Sequence, residues 1–151
     1  MAIRLTNTTN NIPILNQALQ DIANLKQRVA NLERASDFIT YVPKVVASTG
    51  TFTTVAAQGR YQALGKYIFL HIRLNVTTVG TGTFPILSLP IASNGYNYVL
   101  TGVEIAVNGK SCTGEIAFKQ PGLVVLRNYD NTTPAVNGAE IHVSGFYEAI
   151  V

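Results

Sequence analysis

The chain has 151 residues, of which 47% are hydrophobic and 13% are charged. This length suits one domain plus a small appendage. The charged fraction is about half that of an ordinary soluble domain, which disfavours disorder and favours a surface covered by other copies or other proteins. The net charge of +3 comes from basic residues scattered along the sequence, which disfavours nucleic-acid binding.

The first residues place Ile3 and Leu5 around Arg4, ahead of an Asn/Thr tract. This segment has neither the apolar core nor the cleavage site of a signal peptide, and no stretch approaches the roughly 20 apolar residues of a membrane span. We therefore expect synthesis in a cytoplasm and no membrane insertion. Residues 1–12 are predicted to form a docking arm in which Ile3, Arg4 and Leu5 grip a partner protein. The alternative is a frayed terminus.

A helical stalk is predicted over residues 13–36. Pro13 is tolerated in a first helical turn, and Asn10 or Asn11 can cap it. Apolar residues then follow a heptad, with three residues at a and three at d: Leu15, Ile22, Val29, and Ala18, Leu25, Leu32. Such a narrow seam is typical of a coiled coil.

Charges beside this seam indicate the relative orientation of the associated helices. Asp21 at g would face Lys26 at e of a parallel neighbour, and Arg28 at g would face Glu33 at e. These opposite-charge pairs favour parallel helices. Two alternatives stay open: the helix packs on its own domain, or β-branched residues at a with Leu at d select a dimer.

Residues 37–151 are rich in Val, Ile, Thr, Tyr, Phe and Gly, with turns at short intervals, which predicts a β knob. The clearest strand is Lys66–Thr77, where apolar and mixed positions alternate. Asn108-Gly109 predicts a tight hairpin. The remaining predicted strands are Lys44–Ala47, Thr51–Gln58, Tyr61–Ala63, Phe84–Leu89, Tyr98–Val107, Cys112–Phe118, Leu123–Asn128 and Glu140–Tyr147. Their number suits a jelly roll or β-sandwich.

The sequence gives little support for catalysis or for a cofactor. His71 and His142 lie on predicted strands without a nearby nucleophile or carboxylate pattern. Cys112 has no neighbouring metal ligand and is expected to be a small buried hydrophobe. Asn128–Asn131 offers oxygen ligands but lacks the spacing of a calcium loop, which favours a turn. We expect no catalytic residue, no metal and no cofactor.

A resemblance covers most of the chain from about Tyr41 onward. It is carried by the segments Gly50–Lys66, Gly80-Thr81-Gly82, Leu89-Pro90, Gly109-Lys110 and Val143–Tyr147. These resemble the C-terminal β domain of phage fibre-like and other virion proteins. The resemblance implies a trimeric knob on a stalk of short parallel helices, and hence a homotrimer.

Together these features predict a non-enzymatic bacteriophage protein on the virion surface, docked to a capsid or tail protein by its N-terminus. The expected role is attachment to a host glycan or protein through aromatic loop residues, namely Tyr96, Tyr98 and Tyr129. The alternative is a capsid decoration, or cement, protein on the phage head. A cellular adhesin is the remote third class, for which a secretion signal is expected.

Overall fold

A computed structural model describes residues 11–34 and 37–150, with side chains described for residues 12–30 and 37–150. The chain divides into two units, Met1–Asp37 and Phe38–Val151. The first contains helix α1, Asn11–Arg34. Pro13 fits within the first turn because the N–H groups of that turn have no partner inside the helix.

The second unit is a nine-stranded sheet in which every pair of neighbouring strands is antiparallel. Its order is β1-β3-β4-β9-β6-β7-β8-β5-β2. The strands are β1 Ile39–Tyr41, β2 Val45–Ala47, β3 Thr54–Leu64, β4 Tyr67–Thr78, β5 Pro85–Ser88, β6 Tyr98–Glu104, β7 Ser111–Ile116, β8 Leu123–Asn128 and β9 Ala139–Glu148. The prediction of a mainly β fold is confirmed.

The sheet curls into a half-barrel. Its two edge strands, β1 and β2, are consecutive in the sequence, and only residues 42–44 connect them. The step from Tyr41 to Val45 spans at most about 14 Å, so the two edges must lie close together. The described strands thus form one continuous curled sheet. A jelly roll or a β-sandwich, as predicted from the sequence, would instead have two separate sheets packed face to face.

Alternation along the strands sorts side chains to the two faces of the sheet. On β4, Ile68, Leu70, Ile72, Leu74 and Val76 are at most 3% exposed and form the core with their counterparts on the other strands. The opposite residues of β4 face outward. The alternation predicted for this strand is therefore confirmed.

Several strand predictions were wrong in their limits. Strand β1 was not predicted, β3 was expected from Thr51 but begins at Thr54, and β7 was expected to reach Phe118 but ends at Ile116. The expected break between Gln58 and Tyr61 does not occur, because Gly59 continues β3 and makes room for the ring of Tyr41, which a Cβ at this position would overlap. Strand β6 was expected to reach Val107 but ends at Glu104, because the Glu104 carboxylate binds the backbone of the following loop. The tight hairpin predicted at Asn108-Gly109 is not formed: residues 105–110 separate β6 from β7, and although Gly109 has a φ of 62°, Asn108 lacks the positive φ that a two-residue Asn-Gly turn requires.

Candidate self-association site

The outer side of the sheet carries a patch of exposed apolar side chains at its centre. The antiparallel register places Phe69 of β4 opposite Phe146 of β9, with ring centroids 6.0 Å apart. Tyr67 meets the same phenylalanine edge-on at 6.4 Å. Strand β6 lies on the other side of β9, and its Thr101 pairs with Ser144. Two residues further along each strand, the same antiparallel register brings Val99 beside Phe146.

Two further residues extend this patch toward β1 and β3. Leu64 pairs with Tyr67 at the β3–β4 hairpin, and Phe38 lies immediately before β1 and packs under the guanidinium of Arg60 at 5.1 Å. We call the six residues the aromatic face: Phe38, Leu64, Tyr67, Phe69, Val99 and Phe146. Their exposed fractions run from 39% to 65%. An open groove between Phe38 and the two central strands runs across this face.

Ion pairs and histidines border the aromatic face. Lys66 and Glu148 pair at 3.1 Å near one end, and Arg73 Nε lies 2.7 Å from Glu140 at the other. Hydrogen bonds from His142 and Arg73 hold the pKa of Glu140 below its usual value. These charges are thus neutralised within the chain.

His71 and His142 meet edge-to-face, with ring centroids 5.7 Å apart. Partial burial, the charge of Arg60 and the neighbouring His142 lower the pKa of His71 below its usual value. The imidazole of His71 is therefore neutral near pH 7. A neutral His71 ring can be buried in an interface at a lower cost in free energy than a charged one.

Two exposed charges on opposite sides of the aromatic face have no opposite-charge partner among the described residues. Arg60 lies on β3, and its guanidinium lies over the Phe38 ring. Glu115 lies on β7, where it pairs with Val99 of the neighbouring strand β6. Arg60 thus lies on one side of the face and Glu115 on the other, whereas Arg127 on β8, beyond Glu115, contacts the Phe84 ring and donates to Asn131 Oδ1.

The helix carries a second exposed apolar surface. Seven apolar side chains are 49–70% exposed: Ile12, Ile14, Leu15, Leu19, Ile22, Leu25 and Val29. They include four of the predicted a and d residues, and Ala18 is exposed beside them. Ile14 and Leu19 fall at the flanking g and e positions and broaden the predicted seam.

Three of the four charged residues predicted beside the seam have side chains that the structure describes. Asp21, Lys26 and Arg28 are exposed, and Gln17 Nε2 donates a hydrogen bond to Asp21 Oδ1 at 3.1 Å. The side chains of Leu32 and Glu33 lie outside those that the structure describes. The predicted docking residues Ile3, Arg4 and Leu5 also lie outside the described part of the chain.

The three tyrosines predicted to bind a receptor differ in exposure. Tyr96 is 71% exposed and Tyr129 is 75% exposed. Tyr98 is half-buried, with its ring 6.2 Å from Tyr147 and its hydroxyl donating to Asn94 Oδ1 at 2.8 Å. Tyr96 and Tyr129 therefore present free rings, whereas Tyr98 is anchored to the core.

The Asn128–Asn131 segment forms a turn, as its composition predicts. Asn131 has a φ of 60°, and Asn128 Nδ2 donates to Thr132 Oγ1 and to the backbone oxygen of Thr133. Hydrogen bonds from Thr132 and the ammonium of Lys110, 3.0 Å away, lower the pKa of Asp130 to about 2. The carboxylate is thus already engaged by the turn itself.

The structure places the single cysteine, Cys112, in the core. Cys112 is 3% exposed, and burial raises the pKa of its thiol to about 11, which confirms the expected small buried hydrophobe. Residues 11–34 and 37–150 contain no group of three or more His, Cys, Asp or Glu side chains that could hold a metal ion. No helix in the same ranges is both long and apolar enough to cross a membrane.

Comparisons with known proteins identified no relative. No family model matches the chain, and searches of curated proteins and of solved structures found no significant match.

Proposed function

We propose that the chain is a non-enzymatic surface protein of a bacteriophage particle that assembles as a parallel homotrimer. In this proposal, helix α1 forms a three-stranded coiled-coil stalk through its heptad seam. The half-barrel forms the knob, for which the sequence predicted a jelly roll or β-sandwich. The N-terminal arm docks on a capsid or tail protein, and the knob faces outward to attach to the host surface.

The observation that carries the proposal is the exposed seam of α1. Its apolar side chains are about half or more exposed, and a contiguous apolar surface of this kind marks an interaction site in a soluble protein. An isolated helix of this length is also marginal in water, so association stabilises it. The opposite charges of Asp21 and Lys26 flank the seam as a parallel arrangement requires.

A role in attachment is supported by the loops of the knob. Tyr96 and Tyr129 present exposed rings, and exposed aromatic rings can stack on the apolar faces of sugars. The resemblance of Gly50–Lys66 and Val143–Tyr147 to virion β domains supports the phage setting. It also keeps capsid decoration as the second role for the same trimer.

Two measurements test this proposal. Sedimentation at micromolar concentration is expected to give the mass of three chains; a monomer would refute the proposal, and a dimer would refute its trimeric form. The copy number on purified particles distinguishes the two roles. A few copies at the tail are expected for attachment, whereas hundreds over the head would establish decoration.

The receptor loops can be tested with Tyr96→Ala and Tyr129→Ala in one chain. We expect slower adsorption of particles to host cells, with the mass of the oligomer unchanged. The matched control is Phe118→Ala, which removes another exposed ring of the knob. Equal adsorption by all of these particles would refute the assignment of the two tyrosines.

The docking arm can be tested separately with Ile3→Ser and Leu5→Ser together. Three arms on one stalk add their affinities, so loss of the apolar contacts is expected to reduce incorporation into particles sharply. The soluble oligomer should keep its mass. Normal incorporation would rule out this arm as the anchor.

A further inference from the structure

We propose that the aromatic face is the surface through which the β knobs of neighbouring copies pack against one another. The inference rests on the proposed self-association of the chain and names the second contact that holds the assembly together. The partner that covers this face is therefore another copy of the same knob.

The first step is the exposure of the face. Phe146 is 57% exposed, Phe69 is 40% exposed and Val99 is 65% exposed, although all three lie at the centre of a wide sheet. An antiparallel sheet with one face in water ordinarily alternates apolar residues toward the core with polar residues toward the solvent. Clustered aromatic residues at such a position are instead typical of the core of a protein interface.

The second step is the covalent link between helix and sheet. Arg34 ends α1, and Phe38 belongs to the aromatic face. Four peptide units separate these residues and span at most about 14 Å in any conformation. Neighbouring helices of a bundle lie roughly 8–10 Å apart. A parallel stalk therefore tethers the knobs of neighbouring copies within reach of one another.

The third step is charge complementarity across the face. Arg60 lies on the β3 side and Glu115 on the β7 side. In an assembly whose axis runs along these strands, the β3 side of one copy faces the β7 side of the next. Across the ladders Arg60 is level with Thr113, and Glu115 lies two residues, about 7 Å, farther along β7, within reach of the long Arg60 side chain of the neighbouring copy. The Arg73–Glu140 and Lys66–Glu148 pairs are neutralised within each copy, so they do not oppose this packing.

The test uses the full-length chain and separates the knob contact from the stalk. Leu25→Asp weakens the stalk, and Phe146→Ser removes a central ring of the aromatic face. Phe118→Ser is the matched control, because Phe118 is 65% exposed but lies outside the face. Sedimentation gives the dissociation constant of each variant, and circular dichroism verifies that the sheet is folded.

We expect Leu25→Asp alone to remain partly associated. Addition of Phe146→Ser should raise its dissociation constant at least about tenfold, as for a central interface residue, and addition of Phe118→Ser should leave it unchanged. A monomeric parent chain would refute the proposed function itself. An associated parent with a monomeric Leu25→Asp variant, or with no effect of Phe146→Ser, would refute only the knob contact.

Charge exchange tests the pairing across the face. Arg60→Glu and Glu115→Arg should each weaken association in the Leu25→Asp background, because each places like charges opposite one another. The double exchange should restore association, since it recreates the pair with reversed polarity. A double variant no stronger than the single variants would overturn the pairing of these two sides.

Discussion

The carboxylate of Glu104 lies inside the sheet, where the residue is 1% exposed. Its two oxygens accept hydrogen bonds from the backbone N–H groups of four consecutive residues, Ala106 to Gly109, at 2.6–3.1 Å. Burial alone would raise the pKa of Glu104, but these donors lower it below the ordinary value. One side chain thus fixes the whole β6–β7 loop.

Replacement Glu104→Gln should destabilise the protein by about 2 kcal/mol at pH 7, because the amide loses the charge and points a donor at backbone donors. A carboxylate with a lowered pKa stabilises the fold above its unfolded pKa, and this contribution is lost as the pH falls through the folded value. The difference between the two proteins in chemical denaturation should therefore be constant at neutral pH and shrink below about pH 4.5. A constant difference down to pH 2 would contradict the assignment.

Packing between strands depends on glycines at the inner face of the sheet. A Cβ on Gly102 of β6 would lie 2.5 Å from the backbone oxygen of His142 and 2.9 Å from Cys112 Sγ. Both neighbours belong to strands paired with β6, so the site cannot expand without loosening a ladder. At this position the strands approach too closely for any side chain.

We expect Gly102→Ala to lower the free energy of unfolding by about 1–3 kcal/mol through overpacking. Gly122→Ala is the matched control, because no atom lies within 4 Å of its added Cβ. The control should change stability by less than about 0.5 kcal/mol. Equal stability of both variants in thermal unfolding would show that the strands yield easily at Gly102.

The stalk is tested at Leu25, a d position 54% exposed in the single chain. In a parallel trimer, Leu25→Asp would place three carboxylates in one layer without partners. We expect lower helicity at 222 nm and weaker association. The control Gln20→Asp changes an outward f position and should leave both unchanged. Helicity and association equal to those of the parent would mean that the seam is assigned to the wrong face.

Sequence periodicity predicts elements better than it predicts their neighbours. The alternation of Ile68, Leu70 and Ile72 with outward residues was enough to identify β4 and its buried face. It could not identify Phe146 as the neighbour of Phe69, because this pairing depends on which strands lie side by side. The aromatic face was therefore not predicted. An unusual number of aromatic residues at outward strand positions was the signal that could have indicated it.

Similar reasoning explains the errors at Gly59 and Val107. Glycine in a strand often marks a turn, and only the position of Tyr41 shows that Gly59 provides space within β3 instead. The end of β6 depends on backbone hydrogen bonds to Glu104, which no alternation pattern contains. Local patterns thus predict the strand type, whereas tertiary contacts decide where each strand ends.

At the scale of the whole molecule, the division at Asp37 predicts that the knob is independent of the helix. A chain shortened to residues 38–151 should keep its β-sheet signal in circular dichroism and unfold cooperatively, because the sheet and core lie within this unit. It should also self-associate, but it should not incorporate into particles. Loss of cooperative unfolding would show that α1 is required for the fold, and normal incorporation would place the anchor in the knob.

The position of β9 determines when this sheet can assemble. It comes last of the nine strands in the sequence but lies between β4 and β6, joining the β1-β3-β4 side to the rest of the sheet. During synthesis on the ribosome, the earlier strands can form only two separate groups until Ala139–Glu148 has emerged. Such distant pairing slows folding and leaves strand edges exposed in the meantime. Helices that emerge first could already associate on neighbouring nascent chains, so that the knobs complete their folding side by side.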